Sequence, residues 1–305
     1  MLLDTASLYF RAFFGVPDKV KAPDGSSVNA TRGLLDIIAR LVTLYQPSQL
    51  IACWDDDWRP QWRVDLIPSY KAHRVVAEVA AAPDVEEVPD ALAQQIPLIR
   101  EALDILGIPI IGVPEHEADD VIGTLATRAA LPVDIVTGDR DLFQLVDDSR
   151  DVRVIYTARG MSNLEVITEE TIVAKYGVLP SQYADFATMR GDASDGLPGV
   201  KGIGEKTAAT LLRAHGDLAG IRAAAAGGQL TATTATRFAE ASAYLDVAPT
   251  VVKVATDLDI SAPGVARDDL DETARAAAGA LADRWNLGTS MSRALSALAS
   301  AAEAG

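Results

Sequence analysis

The sequence predicts an α/β fold, a mostly parallel central sheet flanked by helices and followed by a smaller helical region. Three observations carry this expectation. Short apolar runs ending in polar turns alternate with helically spaced apolar residues over the first two thirds of the chain. From about residue 168 the strand-like runs cease and helical segments follow one another. An acidic residue closes every candidate strand, at the carboxyl end where open α/β sheets bind their ligands.

The strand-like runs are the opening MLL, LIACWD (50–55), IPIIGVP (108–114) and PVDIVTGD (132–139). Helical spacing occurs in TRGLLDIIARLVTLY (31–45), DALAQQIPLIREALDILG (90–107) and ADDVIGTLATRAA (118–130). Residues 75–90, VVAEVAAAPDVEEVPD, read as a mobile acidic insertion in the first domain. The helical region begins with EETIVAKYG, SQYADFATMRG and GEKTAATLLRAHG and continues through Ala-rich stretches. The tail from 290 reads as helix or frayed chain. The expected division is an α/β core over 1–167 and a helical subdomain over 168–305, with no internal repeat.

With 305 residues, 49% of them apolar, the chain can bury a core without staples. A single cysteine, Cys53, excludes an internal disulfide, and three scattered histidines offer no zinc cluster. No apolar run reaches the ~18 residues of a membrane span, and the N-terminus has no secretion signal. The expectation is a soluble, cytoplasmic, monomeric protein with no membrane partner. The net charge of −16 argues against a general affinity for nucleic acid. Its distribution is uneven, however: RPQWRVDLIPSYKAHR (59–74) sets Arg59, Arg63, Lys71 and Arg74 against Asp65 alone.

Asp4 follows MLL, Asp55 follows LIACW, and Glu117, Asp119 and Asp120 follow IPIIGVP and open a helix; Asp139 and Asp141 follow PVDIVTG. In a parallel sheet these loops meet on one rim. Ionised carboxylates gathered there need cations, or their pKa values rise. An oxygen-only donor set suits hard cations such as Mg²⁺ or Mn²⁺. Glu117 and Asp120 share a helix face, and Asp139 and Asp141 point the same way along an extended segment. Asp192 and Asp195, in GDASDGLPG, add a second pair spaced by three. Taken alone, ADDV is better read as a helix N-cap and TGDRD as a solvated turn. The recurrence at every strand end favours metal.

The segment LPGVKGIGEKTAATLL (197–212) places Gly199, Gly202 and Gly204 before an amphipathic helix, with Lys201 and Lys206 adding positive charge. Glycines permit tight turns and close approach, and the free N–H groups of the helix face an anion. This has the form of a helix-hairpin-helix, which grips a phosphodiester backbone without reading bases. The plainer alternative is a helix–turn–helix packing element.

Taken together, DTASLYFRAF, CWD, WRVDLIPSYKAHR, HEADDVIGTLA, TGDRDLFQLV and GDASDGLPGVKGIGEKTA resemble, in order, the motifs of the 5′-nuclease family. That family comprises the 5′–3′ exonuclease domain of bacterial DNA polymerase I and the flap endonucleases. The resemblance implies two Mg²⁺ or Mn²⁺ ions, one held by Asp4, Asp55, Glu117, Asp119 and Asp120, the other by Asp139, Asp141, Asp192 and Asp195. It implies catalytic or stacking roles for Arg11, Arg63, Tyr70 and Lys71, with Arg74 on DNA, and a helical arch near 65–95. It further implies K⁺ on the main-chain carbonyls of Leu197, Val200 and Ile203, and duplex contacts from the glycines and lysines of the hairpin. The implied partner is DNA with 5′ flaps, nicks or 5′ ends, cut in replication and repair by a two-metal-ion mechanism. Two rivals stand beside it: a non-catalytic binder of branched DNA and an RNA-cleaving nuclease. Phe14 stands where many members of the family have histidine.

Overall fold

Leu2–Asp4 forms β1 at the centre of a six-stranded sheet in a computed structural model that describes residues 1–79, 83–261 and 271–303. α1 (Thr5–Gly15) follows directly, then α2 (Asn29–Tyr45), β2 (Ile51–Cys53) and α3 (Gln61–Leu66). A short antiparallel pair, β3 (Val75–Ala77) and β4 (Val85–Glu86), precedes α4 (Asp90–Ala93), α5 (Ile96–Ile105) and β5 (Ile110–Ile111). Next come α6 (Ala118–Arg128), β6 (Val133–Thr137), β7 (Val152–Tyr156) and β8 (Glu165–Ile167). The remainder is helical: α7 (Glu169–Tyr176), α8 (Tyr183–Arg190), α9 (Glu205–His215), α10 (Leu218–Ala226), α11 (Ala232–Glu240), α12 (Ser242–Val252), α13 (Glu272–Trp285) and α14 (Thr289–Glu303).

The sheet order is β5-β2-β1-β6-β7-β8, parallel throughout except for β8. Alternation along each strand feeds two cores. Leu2, Ile51, Cys53, Ile135 and Val154 face α6, α8 and α9, while Leu3, Ala52, Val136 and Ile155 face α1, α2, α5 and α14.

Three expectations are corrected. The helical arch expected near 65–95 is not a continuous helix in the described residues. Beyond the end of α3 the segment holds one 3₁₀ turn (Ala72–Arg74), the β3–β4 pair and the four-residue α4 before α5 begins, and residues 80–82 lie outside the description. The helix expected over 90–107 is split into α4 and α5. Pro97, at the start of α5, has no N–H to donate back to α4, and its ring would crowd the carbonyl four residues earlier. Finally, the residues from 168 on do not pack as one unit. Leu281 of α13 and Met291, Ala294 and Leu298 of α14 share a core with Leu34, Ile38 and Leu41 of α2. No helix among the described residues is long and apolar enough to cross a membrane.

Candidate metal centre and nucleic-acid interface

Four parallel strands deliver their acidic residues to one rim. Asp4 ends β1; its Oδ1 accepts from the Ser7 N–H at 3.2 Å, capping α1, and its Oδ2 accepts from the Thr137 hydroxyl at 2.6 Å. The same Thr137 oxygen accepts from the Asp139 N–H at 2.8 Å, so one hydroxyl at the end of β6 fixes two carboxylate-bearing loops. Asp55 accepts from the Ala118 N–H at 2.8 Å, which sets it against the first turn of α6 that carries Asp119. The Asp141 N–H donates to Asp139 Oδ1 at 2.9 Å. Asp192 and Leu197 exchange backbone hydrogen bonds of 2.9 and 2.7 Å, closing the loop that holds Asp195. Ser194 braces Asp192 Oδ1 through its N–H at 2.8 Å and through its hydroxyl.

Burial raises Asp4 to about 7; the Thr137 hydrogen bond opposes the rise, and the charges of Asp55 and Asp139 add to it. Burial lifts Asp119 well above the usual carboxylate range, with repulsion from Asp4, Asp139 and Glu117 adding to it. It lifts Asp141 likewise, with repulsion from Asp139, Asp195 and Asp192. Asp55 and Asp195 are raised by burial as well. Asp139 repels Asp4, Asp119, Asp141 and Asp195, and Glu117 repels both Asp119 and Asp195, so the carboxylates form one connected set. Among the described residues no donor reaches the carboxylate oxygens of Asp119 or Asp141. Buried, like-charged oxygens with no protein donor are a donor set suited to hard cations. As placed, among the described residues no three acidic, His or Cys side chains come together closely enough to hold a metal ion.

Glu117 differs. Burial acts to raise it, but the Lys71 ammonium and the Arg63 guanidinium outweigh that and hold it below the usual range. The Tyr70 hydroxyl donates to Oε1 at 2.6 Å, Arg63 Nη1 donates to the same oxygen at 2.8 Å, and Lys71 Nζ donates to Oε2. Lys71 takes the left-handed conformation (φ 48°), uncommon for a residue other than glycine. Its N–H donates to the Asp195 carbonyl at 3.0 Å, and the Ser69 hydroxyl to the Gly196 carbonyl at 2.7 Å. A Cβ on Gly196 (φ 69°) would lie 2.0 Å from the Ser69 carbonyl oxygen. The Ser69–Lys71 turn is therefore stitched to the Asp192–Leu197 loop, with its ammonium at the rim.

Three expected site residues face protein as placed. Asp120 is fully buried. Its carboxylate accepts from Arg63 Nη2 (2.8 Å), Arg63 Nη1 (2.9 Å), the Ala255 N–H (2.8 Å) and the Glu117 N–H (3.3 Å), which leaves it turned away from the rim. Arg63 is 2% exposed and also donates through Nε to the Val251 carbonyl at 3.1 Å, so it faces protein and not a phosphate. Tyr70 is 4% exposed, packed with Ile67, Leu197 and Ala248, and cannot stack on a terminal base as placed. Arg11 lies beside the rim, with Nη2 3.3 Å from where a Cβ on Gly138 would sit and a buried Nε that has no hydrogen-bond partner among the described residues. Arg74 donates to the Ser194 carbonyl at 2.8 Å and to Asp195 at 3.1 Å.

In the hairpin, Gly199 (φ 66°) approaches Gly191 so closely that a Cβ would meet the Gly191 nitrogen at 2.6 Å. The Leu197 and Val200 carbonyls accept from the Asp192 and Ile203 N–H groups, both at 2.9 Å, and the side chains of Leu197, Val200 and Ile203 are buried. At Gly204 a Cβ would meet nothing within 4 Å, and no side chain caps α9 there. Lys201 and Lys206 are exposed and form no ion pair among the described residues. Sequence reasoning passed over Thr137, Ser7 and Arg190. Arg190 donates to Asp192 at 3.1 Å and, with Arg140, flanks Glu205 at 3.6 and 3.4 Å. Only tertiary proximity marks these residues.

A mostly parallel sheet covered on both faces, with acidic residues at its carboxyl rim and a glycine hairpin beside it, is an architecture found among nucleases. The chain belongs to the 5′–3′ exonuclease family. Residues 1–177 match its N-terminal resolvase-like domain and residues 178–272 its C-terminal SAM fold. A 5′-3′ exonuclease of Streptomyces coelicolor is 60% identical over 300 residues, 98% of this chain and 99% of that protein. One from Mycobacterium tuberculosis is 52% identical over 86% of this chain and 85% of its own length. The crystal structure of the T5 D15 protein with metal ions has the same fold, with a TM-score of 0.64 at 17% identity, covering 99% of this chain and 98% of that one.

Proposed function

We propose that the protein is a structure-specific 5′-nuclease, a 5′–3′ exonuclease and 5′-flap endonuclease that hydrolyses DNA phosphodiester bonds with two divalent cations in replication and repair. The observation that carries this reading is the row of mutually repelling carboxylates at the sheet's carboxyl rim, Asp4, Asp55, Asp119, Asp141 and Asp195 largely buried, with exposed Asp139 beside them. Asp4, Asp55, Glu117 and Asp119 would hold one Mg²⁺ or Mn²⁺, and Asp141, Asp192 and Asp195 the other, with Asp139 between. Bound there, such ions supply a water of lowered pKa and polarise the scissile phosphate. The chain's own residues do the rest. The Asp192–Leu197 loop and the Ser69–Lys71 turn hold each other in register. Lys71 directs an ammonium at charge developing on the phosphate. The open N-terminus of α9, with Lys201 and Lys206, holds the duplex backbone, and K⁺ on the hairpin carbonyls would stiffen that grip.

The deciding experiment is cleavage of labelled 5′-flap, nicked, gapped and single-stranded DNA with Mg²⁺ or Mn²⁺, beside an RNA flap. Cutting at the 5′ junction of DNA is expected. Preferential cutting of RNA, or tight binding without cutting, would replace the reading with one of its rivals.

Lys71→Ala is expected to slow single-turnover cleavage by about a hundred- to thousandfold, or about 3–4 kcal/mol. Its effect on affinity should be small, since Lys71 is one cation among several contacts. Measurement on one flap substrate at fixed salt separates the two. Weaker binding with an unchanged rate would make Lys71 a clamp only.

A second expectation concerns pH. Asp4, Asp119 and Asp141 have folded pKa values raised above the unfolded value of 3.8. Each contributes stability that is complete below that value and is lost as pH rises through the folded value, about 7 for Asp4. Protons and divalent cations then compete for the same oxygens. Added Mg²⁺ should therefore raise Tm by several degrees more at pH 8 than at pH 5.5, as read by calorimetry. An equal rise at both values would separate the metal from these carboxylates.

A further inference from the structure

We propose that Arg237, on α11, completes the hairpin's grip on duplex DNA by docking its guanidinium against Gly202 and presenting its remaining donors to a backbone phosphate. This rests on the DNA-processing reading above. Several surface arginines are paired, Arg222 with Asp246 at 2.6 Å, Arg284 with Glu101 at 2.5 Å and Arg293 with Asp36 at 2.7 Å, whereas others, Arg40, Arg128 and Arg213 among them, have no acidic partner among the described residues. Arg237 has no acidic partner among the described residues. Its only side-chain hydrogen bond there runs from Nη1 to the Gly202 carbonyl at 3.2 Å.

The docking depends on the glycine. A Cβ at Gly202 would lie 2.8 Å from Arg237 Cζ and 3.0 Å from both terminal nitrogens, so the guanidinium occupies the space a side chain would take. α11 is held in rotation by its neighbours: Phe238 is buried in the core, and Thr231 caps the helix by accepting from the Thr234 N–H at 3.3 Å. Arg237 is therefore fixed at its base and half-exposed at its tip. One N–H is used and the rest of the planar fork is free, a geometry suited to bidentate recognition of a phosphate. Lys201 precedes Gly202, and α9 begins just after Gly204, so two cations without carboxylate partners, Lys201 and Arg237, stand beside the start of that helix. The occupant is the phosphodiester backbone of paired DNA, and the contact carries no sequence preference.

The test is equilibrium binding of a fluorescent nicked duplex in EDTA across a series of KCl concentrations, for the wild type, Arg237→Gln and Arg237→Lys. Arg237→Gln is expected to weaken binding about fivefold near 0.1 M salt and to reduce the slope of log K against log salt by about one. Arg237→Lys keeps the charge and should retain most of the slope. An Arg237→Gln protein with wild-type affinity and slope overturns the proposal. So does Arg237→Lys binding as weakly as Arg237→Gln with an equally lowered Tm, because the residue would then act through packing. If the wild type itself shows no salt-dependent duplex binding, the DNA reading fails, and that outcome is distinct from failure at Arg237 alone.

Discussion

In excess EDTA, or with Asp139 replaced by Asn, cleavage of a 5′-flap substrate is expected to fall by at least about a thousandfold while the protein still binds the DNA. Repulsion from Asp139 helps to raise Asp4, Asp119, Asp141 and Asp195, more of the rim carboxylates than any other single residue reaches. Removing its charge weakens cation binding at both proposed sites, whereas the hairpin and α9 are untouched. Asp192→Asn disturbs one site only and should cost less. Stability should hold or improve in metal-free buffer, because less like charge remains crowded at the rim. The measurement is single-turnover rate beside a dissociation constant at one salt concentration. Undiminished cleavage in EDTA would sink the two-metal reading, and a wild-type rate in Asp139→Asn would remove that residue from it.

The carboxylate rim was legible in the sequence because strand ends and acidic residues coincide, and a parallel sheet leaves such residues no other place to go. Four of the six sheet strands were legible for the same reason, as apolar runs that stop at a carboxylate. β7 and β8 escaped notice: VRVIY is interrupted by Arg153, whose side chain pairs with Asp134 at 2.6 Å on the neighbouring strand, and EVI is only three residues long. The division of labour inside the motifs was not legible at all. Asp119 and Asp120 are adjacent, but on a helix adjacent residues diverge by about 100°. One therefore faces the rim and the other the Arg63 guanidinium. Spacing placed Asp120 with Glu117 on one face, correctly, and the capping box they form is the consequence. The capping reading thus describes Asp120, and the metal reading is kept for Asp119. Arg63 and Tyr70 read as substrate contacts because they lie in a basic stretch, and only the fold shows which cations point inward.

Arg63→Gln is expected to destabilise the protein by about 3–5 kcal/mol, the usual cost of removing one partner from a buried ion pair. Arg63 joins α3, the start of α6 and the end of α12 by donating to Glu117, Asp120 and the Val251 carbonyl. Glutamine can replace only part of this, and it leaves Asp120 charged, fully buried and without a cation. Most of that cost is an uncompensated charge rather than lost attraction. Arg63→Met combined with Asp120→Leu should therefore recover more than half of the loss. Urea unfolding of the wild type, the single variant and the double variant tests this. The functional consequence follows from Glu117. Without Arg63, its Oε1 keeps only the Tyr70 hydroxyl, so its carboxylate is less well oriented toward the rim. The single variant, assayed well below its Tm, should need more Mg²⁺ for half-maximal rate while its duplex affinity stays near the wild-type value. If Arg63→Gln instead kept full stability and lost tenfold in DNA affinity, Arg63 would be a phosphate contact after all, and the inward-facing guanidinium would not be its working position.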